Sequence, residues 1–192
     1  LQSYNTVFKG NALLENEQFH TANLRYSKMN MYRGIIWNAM ASYNKKVKTT
    51  RSEIVINGIN QYATPILTDN PETNWRFNGS VSKKIYRFNL KLNTSLSGFN
   101  YTQNLNNNLT TNDRTNQNFG VTLRTVFKKW PDFSLEYNKG FSQFSGITEN
   151  KYQNEGINSD VEFTIKKFFT FKFEYENLKN TNSSNQSNFY DI

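Results

Sequence analysis

The sequence predicts an all-β fold, an antiparallel transmembrane β-barrel segment of roughly eight strands that forms part of a larger barrel. Three observations carry this. Apolar residues recur at every second position through run after run, which puts them on one face of an extended strand. The chain is polar on average, with 36% hydrophobic residues and a mean hydropathy of −0.77, yet 16% of it is aromatic. That combination suits a wall with one oily and one wet face better than a packed core. Tight turns also alternate with long polar connections, as in barrels with short periplasmic turns and long extracellular loops.

Residues 1–16 read as irregular, with Lys9 to Glu17 a loop leading into a strand. From Gln18 to Lys28, His20, Ala22, Leu24 and Tyr26 share a face. After a turn at Asn30 to Arg33, the run Gly34 to Lys48 places Ile35, Trp37, Ala39, Ala41 and Tyr43 together, with Ile36 and Met40 opposite. Residues 49–71 read as a long connection holding Gly58, Pro65 and Asp69-Asn70-Pro71, with a short strand at Glu53 to Ile56. In Glu72 to Ile85, Trp75, Phe77, Val81 and Ile85 oppose Arg76, Asn78, Ser80 and Ser82. In Phe88 to Phe99, Leu90, Leu92 and Leu96 oppose Asn89, Lys91, Asn93 and Ser95.

Asn104 to Asn118 is an Asn/Thr-rich tract and reads as a loop. The clearest hairpin follows, Phe119 to Phe141, with Val121 and Leu123, then Phe133, Leu135 and Tyr137, on its oily side. Pro131-Asp132 supplies the fixed φ and the side-chain acceptor of its turn. A second polar loop is expected from Gly146 to Asn158. A last hairpin runs from Asp160 to Tyr175, with Val161, Phe163, Ile165, Phe171 and Phe173 on one face. Residues 178–188 read as another polar connection, and Phe189 to Ile192 as the first residues of a further strand. Aromatics beside the turns (Tyr32, Tyr86, Trp130, Phe168) and toward the other strand ends (Tyr43, Phe99, Tyr101, Phe141, Phe144) suggest two interfacial girdles.

A unit repeats along the chain. Ser82 to Leu92, Phe127 to Tyr137 and Ile165 to Tyr175 each join a strand end, a Lys pair, an aromatic at the turn and a new strand, and Ser27 to Ile35 is a looser copy. Repetition of this kind belongs to stacked or ring-closed architectures.

Several function classes are disfavoured. No stretch approaches the roughly 20 apolar residues of a membrane-crossing helix, and with no cysteine there is neither a disulfide framework nor a thiolate metal site. Leu1 to Asn5 lacks the basic and apolar regions of a signal peptide, so a processed chain or a piece of a longer one is expected. The net charge of +8 is dispersed over turns and strand ends, where Lys and Arg snorkel to water or lipid phosphate, rather than gathered into a nucleic-acid surface. No enzyme constellation is present and no cofactor is expected. His20 stands alone, Asp69, Asp113 and Asp132 read as turn acids, and Glu149 and Glu155 flank a polar loop without a calcium-loop pattern. The candidate site is instead the polar set Arg76, Lys91, Arg124, Glu136, Lys172 and Glu174, which in a barrel would line the lumen and govern what docks or passes.

Gly10 to Glu17, followed by His20 to Lys28, resembles the "GNPxLxxE" segment and its strand in TonB-dependent receptor barrels, most of all those of Bacteroidota. Phe127 to Phe133 and Gly58-Ile59-Asn60-Gln61 look like that family as well. The sequence departs from it at Ala12, where the family has proline. The resemblance covers nearly the whole chain, and its motifs are strand and turn patterns. It implies residues 1–192 as a late segment of an outer-membrane barrel of about 22 strands, with a plug domain and closing strands outside the segment. It also implies outer-membrane lipid, a plug and the TonB system as partners, with a surface lipoprotein or larger complex as a further one. The implied activity is uptake of a bulky nutrient such as a glycan fragment or metal chelate. The alternatives are a receptor-like barrel serving as a structural component of an outer-membrane complex, and a soluble secreted β-domain that binds carbohydrate.

Overall fold

A computed structural model of the chain describes residues 5–105, 108–125, 131–146, 148–165, 169–182 and 186–191. These residues form one mixed sheet of eleven strands, all but two of its pairings antiparallel, with no helix among them. The strands are β1 (Asn5–Phe8), β2 (Gln18–Asn30), β3 (Ile35–Asn57), β4 (Asn60–Thr68), β5 (Glu72–Ile85), β6 (Phe88–Leu105), β7 (Asn108–Thr125), β8 (Asp132–Ser145), β9 (Asn150–Ile165), β10 (Phe169–Asn182) and β11 (Gln186–Asp191). From β5 to β11 each strand pairs antiparallel with the next. The long β3 is the spine of the other end: β2 and β5 pair with its first half, β4 with Thr49 to Asn57, and β1 lies parallel to β4. The sheet is open, and its ends do not meet.

Eleven strands replace the roughly eight expected, because the polar tracts read as loops are strands. The connection at 49–71 is a hairpin of β3 and β4, with Gly58 at φ +58° opening its two-residue turn. The Asn/Thr-rich tract from Asn104 to Asn118 lies almost wholly in the β6–β7 hairpin, paired from Phe88↔Thr125 to Leu105↔Asn108. Where a second loop to Asn158 was expected, β8 runs to Ser145 and β9 already begins at Asn150, β10 runs on to Asn182, and β11 begins at Gln186. In the Asn/Thr-rich tracts both faces are polar, and in 49–71 Ile54-Val55-Ile56 and Ile66-Leu67 put apolar residues on both faces, so no period of two marks either kind and pairing with neighbouring strands reveals them. The long-loop, short-turn contrast thus becomes one of long polar hairpins against short turns. The Tyr86-Arg87 turn is tight as expected, with Tyr86 itself at φ +56°, a strained position for a side chain that size. Trp130 and Phe168, and the Lys pairs beside them, lie outside the described residues.

Register fixes the faces, since residues opposite one another across antiparallel strands project to the same side. One side carries Trp37, Val81, Leu92, Val121, Tyr137 and Ile157 in a single row, and Leu90, Leu123 and Leu135 in the next. The other carries Ser27, Asn38, Ser80, Asn93 and Asn138, with the hydrogen bonds Ser27 Oγ–Asn38 Oδ1 and Ser95 Oγ–Asn78 Oδ1, each 2.8 Å long, lying across it. Phe99, Tyr101 and Phe144 fall on this polar side, where Phe99 and Tyr101 stack at 5.1 Å, so of the aromatics expected toward those strand ends only Tyr43 and Phe141 lie on the apolar side. Glycines make room on the same side: a Cβ at Gly120 would sit 2.5 Å from Asn138 Oδ1 and 2.6 Å from Asn93 Nδ2.

Among the described residues no second layer covers either face. Ala63 is the one buried hydrophobic residue among those described, and the chain exposes 14553 Å². A compact monomer of its 22.5 kDa mass would expose about 9,500 Å².

Candidate functional site on the polar face

The six residues singled out from the sequence all fall on the polar side. Lys91, Thr122 and Glu136 occupy one row across β6, β7 and β8. Arg124 sits one row toward the turn end, in register with Asn89, Ser134, Asp160 and Glu174. Lys172 bonds Glu174, two residues along β10 and on the same face. Arg76 lies toward the hairpin end, level with Ser42 and Ser97.

Three of the six come together around a cavity of ≈ 760 Å³, lined by Lys91, Arg124 and Glu136. Arg25, from β2, completes its charged lining, and Asn78, Asn93 and Ser95 supply amides and a hydroxyl. The lining spans six neighbouring strands, β2 to β8 without β4, so the sheet curls around it. Arg76, Lys172 and Glu174 are on the same face but outside the cavity. Arg25 was missed, although its position between Asn23 and Ser27, opposite Leu24 and Tyr26, already assigns it to the polar side.

Charge is unevenly spread across this face. The cations Arg25, Arg76, Lys84, Lys91 and Arg124 occupy β2 to β7, where the acid Glu72 is paired with Arg51, while Glu136, Asp160, Glu162, Glu174 and Glu176 occupy β8 to β10 beside Lys172. Glu136 accepts a 2.7 Å hydrogen bond from Asn138 Nδ2. The salt bridges among the described residues involve none of Arg25, Lys91 and Arg124.

No family model matches the chain, and no curated protein or solved structure does either. The site is therefore read from its own chemistry.

A second polar cluster lies where β2 ends and β4 takes over along β3. Glu17 Oε1 accepts the Thr50 N–H at 3.0 Å, and Glu17 Oε2 pairs with Lys46 Nζ at 3.1 Å. Those two partners, the backbone N–H first, hold the Glu17 carboxyl below the ordinary glutamate range. Glu15 pairs with Lys48 at 3.0 Å. The buried Glu72 bonds Arg51, whose guanidinium lies 4.5 Å over the Tyr101 ring. These contacts tie the β3–β4 hairpin to the wall, which is a structural task. His20 is exposed and opposite Lys45. Among the described residues no three His, Cys, Asp or Glu side chains are grouped to hold a metal. Glu149 pairs with Lys151 at 2.9 Å, and Glu155 accepts the Tyr137 hydroxyl at 2.7 Å.

Proposed function

We propose that the chain is part of the wall of an outer-membrane β-barrel of the TonB-dependent receptor kind, moving a bulky nutrient past its polar face. The observation that carries this reading is a slip of the apolar band relative to the hydrogen-bond register. On β3 the outward apolar run is centred on Ala39. Ala39 connects through Gly79, Thr94, Phe119, Lys139 and Glu155 to Lys179 on β10. Yet the apolar run of β10, from Phe169 to Tyr175, is centred between Phe171 and Phe173, about seven residues from Lys179.

Seven residues over six strand-to-strand steps is a slip of about one residue per strand. With a rise of about 3.4 Å and a strand spacing of about 4.8 Å, a level band across this sheet tilts the strands by about 40°. Membrane barrels tilt their strands by roughly 35–45°. A sandwich core needs apolar rows that face a second sheet, and no second sheet is present among the described residues.

Lipid would cover the band, further strands would close the open edges that lipid does not tolerate, and a plug with the TonB system would act on the polar side. Service as a structural component of an outer-membrane complex uses the same wall. The test is site-directed spin labelling in the outer membrane. A label at Val121 is expected to be relaxed by lipid-soluble oxygen and shielded from an aqueous nickel chelate, and a label at Thr122 the reverse. Shielding of Val121 from both agents would reject the membrane assignment.

A further inference from the structure

We infer that the cavity on the polar face is a binding site for an anionic, hydroxyl-rich ligand of the acidic oligosaccharide class, an inference that rests on the barrel reading and names its cargo. Its volume of ≈ 760 Å³ lies within the roughly 300–1,000 Å³ of small-ligand sites.

The lining specifies charge. Arg25, Lys91 and Arg124 form no salt bridge among the described residues, and against them stands one acid, Glu136, which accepts a hydrogen bond from Asn138 and keeps its charge, so the lining is cationic on balance. Arginine's planar fork matches a carboxylate through two parallel hydrogen bonds. Arg25 stands on β2 and the other two cations on β6 and β7. They are spread along the groove rather than converging on a point, so they suit a ligand with several acidic groups along its length and not a single phosphate.

The rest of the lining specifies hydroxyls. Asn89, Asn93, Ser80 and Thr122 stand between the cations. Each amide offers two donors and an acceptor, and each hydroxyl both roles, the inventory that pairs with neighbouring sugar hydroxyls. Asn78 and Asn38 each already accept one hydrogen bond from a serine and keep their amide donors for a ligand.

The experiment is calorimetric titration of the full chain, purified from outer membranes in detergent, with trigalacturonate, its methyl ester and inorganic phosphate. The acid is expected to bind at least tenfold more tightly than the uncharged ester or phosphate, and to weaken as salt rises. The double variant Lys91→Gln/Arg124→Gln is expected to lose at least tenfold in affinity for the acid. Lys83→Gln, on the opposite face of β5, is expected to lose none. Equal binding of acid and ester, phosphate binding as tight as the acid, or no binding of the acid would each overturn the ligand assignment. A Val121 spin label in the same preparation separates the two readings. If oxygen still reaches it, only the ligand assignment has failed; if it is shielded from both relaxants, the barrel reading has failed.

Discussion

Glu17 shows how much a single side chain does where a strand loses its neighbour. β2 ends at Lys48 of the spine strand and β4 begins at Thr49, and the Glu17 carboxylate takes the Thr50 N–H that falls just past that junction. Because this pairing lowers the carboxyl pKa in the folded state, its contribution is complete above the unfolded value of about 4.3. It is lost as pH falls through the lowered folded value. Thr50 amide exchange, corrected for its intrinsic pH dependence, is accordingly expected to accelerate in that acid window. Glu17→Gln keeps an acceptor but has no titrating proton, and should abolish the acid step. An unchanged step in the variant would assign it to another group. From the sequence Glu17 was a loop residue, since nothing local to it signals that β3 has an unmatched donor there.

At the scale of the element, alternation was sufficient wherever one face was apolar. The Phe119 to Phe141 hairpin has the faces its pattern implied, with Leu123 opposite both Leu90 and Leu135, and Thr122 opposite Lys91 and Glu136. An arginine at a mid-membrane lipid-facing site costs about 2–4 kcal/mol, and lumen positions tolerate charge. Leu123→Arg is therefore expected to lower the heat-modifiable folded yield severely, with Thr122→Arg far milder. Equal losses would argue that the two faces see the same surroundings. The polar tracts were not legible in the same way. Asn and Thr on both faces erase the period of two, so the outer halves of β6 and β7 were indistinguishable from a loop until their pairing was known.

For the whole molecule, the area left exposed and the slip of the apolar band point the same way. One curved layer with a single buried hydrophobic residue among those described does not satisfy the usual requirement that a sheet bury its oily face. The tilted membrane crossing proposed above would satisfy it with lipid. The band makes a depth prediction that register alone would get wrong. Nitroxides at Ala39 and Phe173 are expected at matching depth by the ratio of oxygen to nickel accessibility. One at Lys179, the register partner of Ala39, is expected close to the headgroups. Equal depths for Ala39 and Lys179 would remove the tilt and the membrane assignment with it.

The sequence by itself determined the all-β class, the two faces of each patterned strand and the membership of Arg76, Lys91, Arg124, Glu136, Lys172 and Glu174 in one polar set. Those are properties of period two, which a strand carries wherever it is placed. Only the tertiary structure decided that Lys91, Arg124 and Glu136 share a cavity with Arg25 while Arg76, Lys172 and Glu174 stand outside it. It also decided that the charges are unevenly spread across that face, and that the band slips by about one residue per strand. Each of these depends on which residue of one strand lies opposite which residue of the next. Register is set by hydrogen bonds between segments distant in the chain, and no local pattern records it.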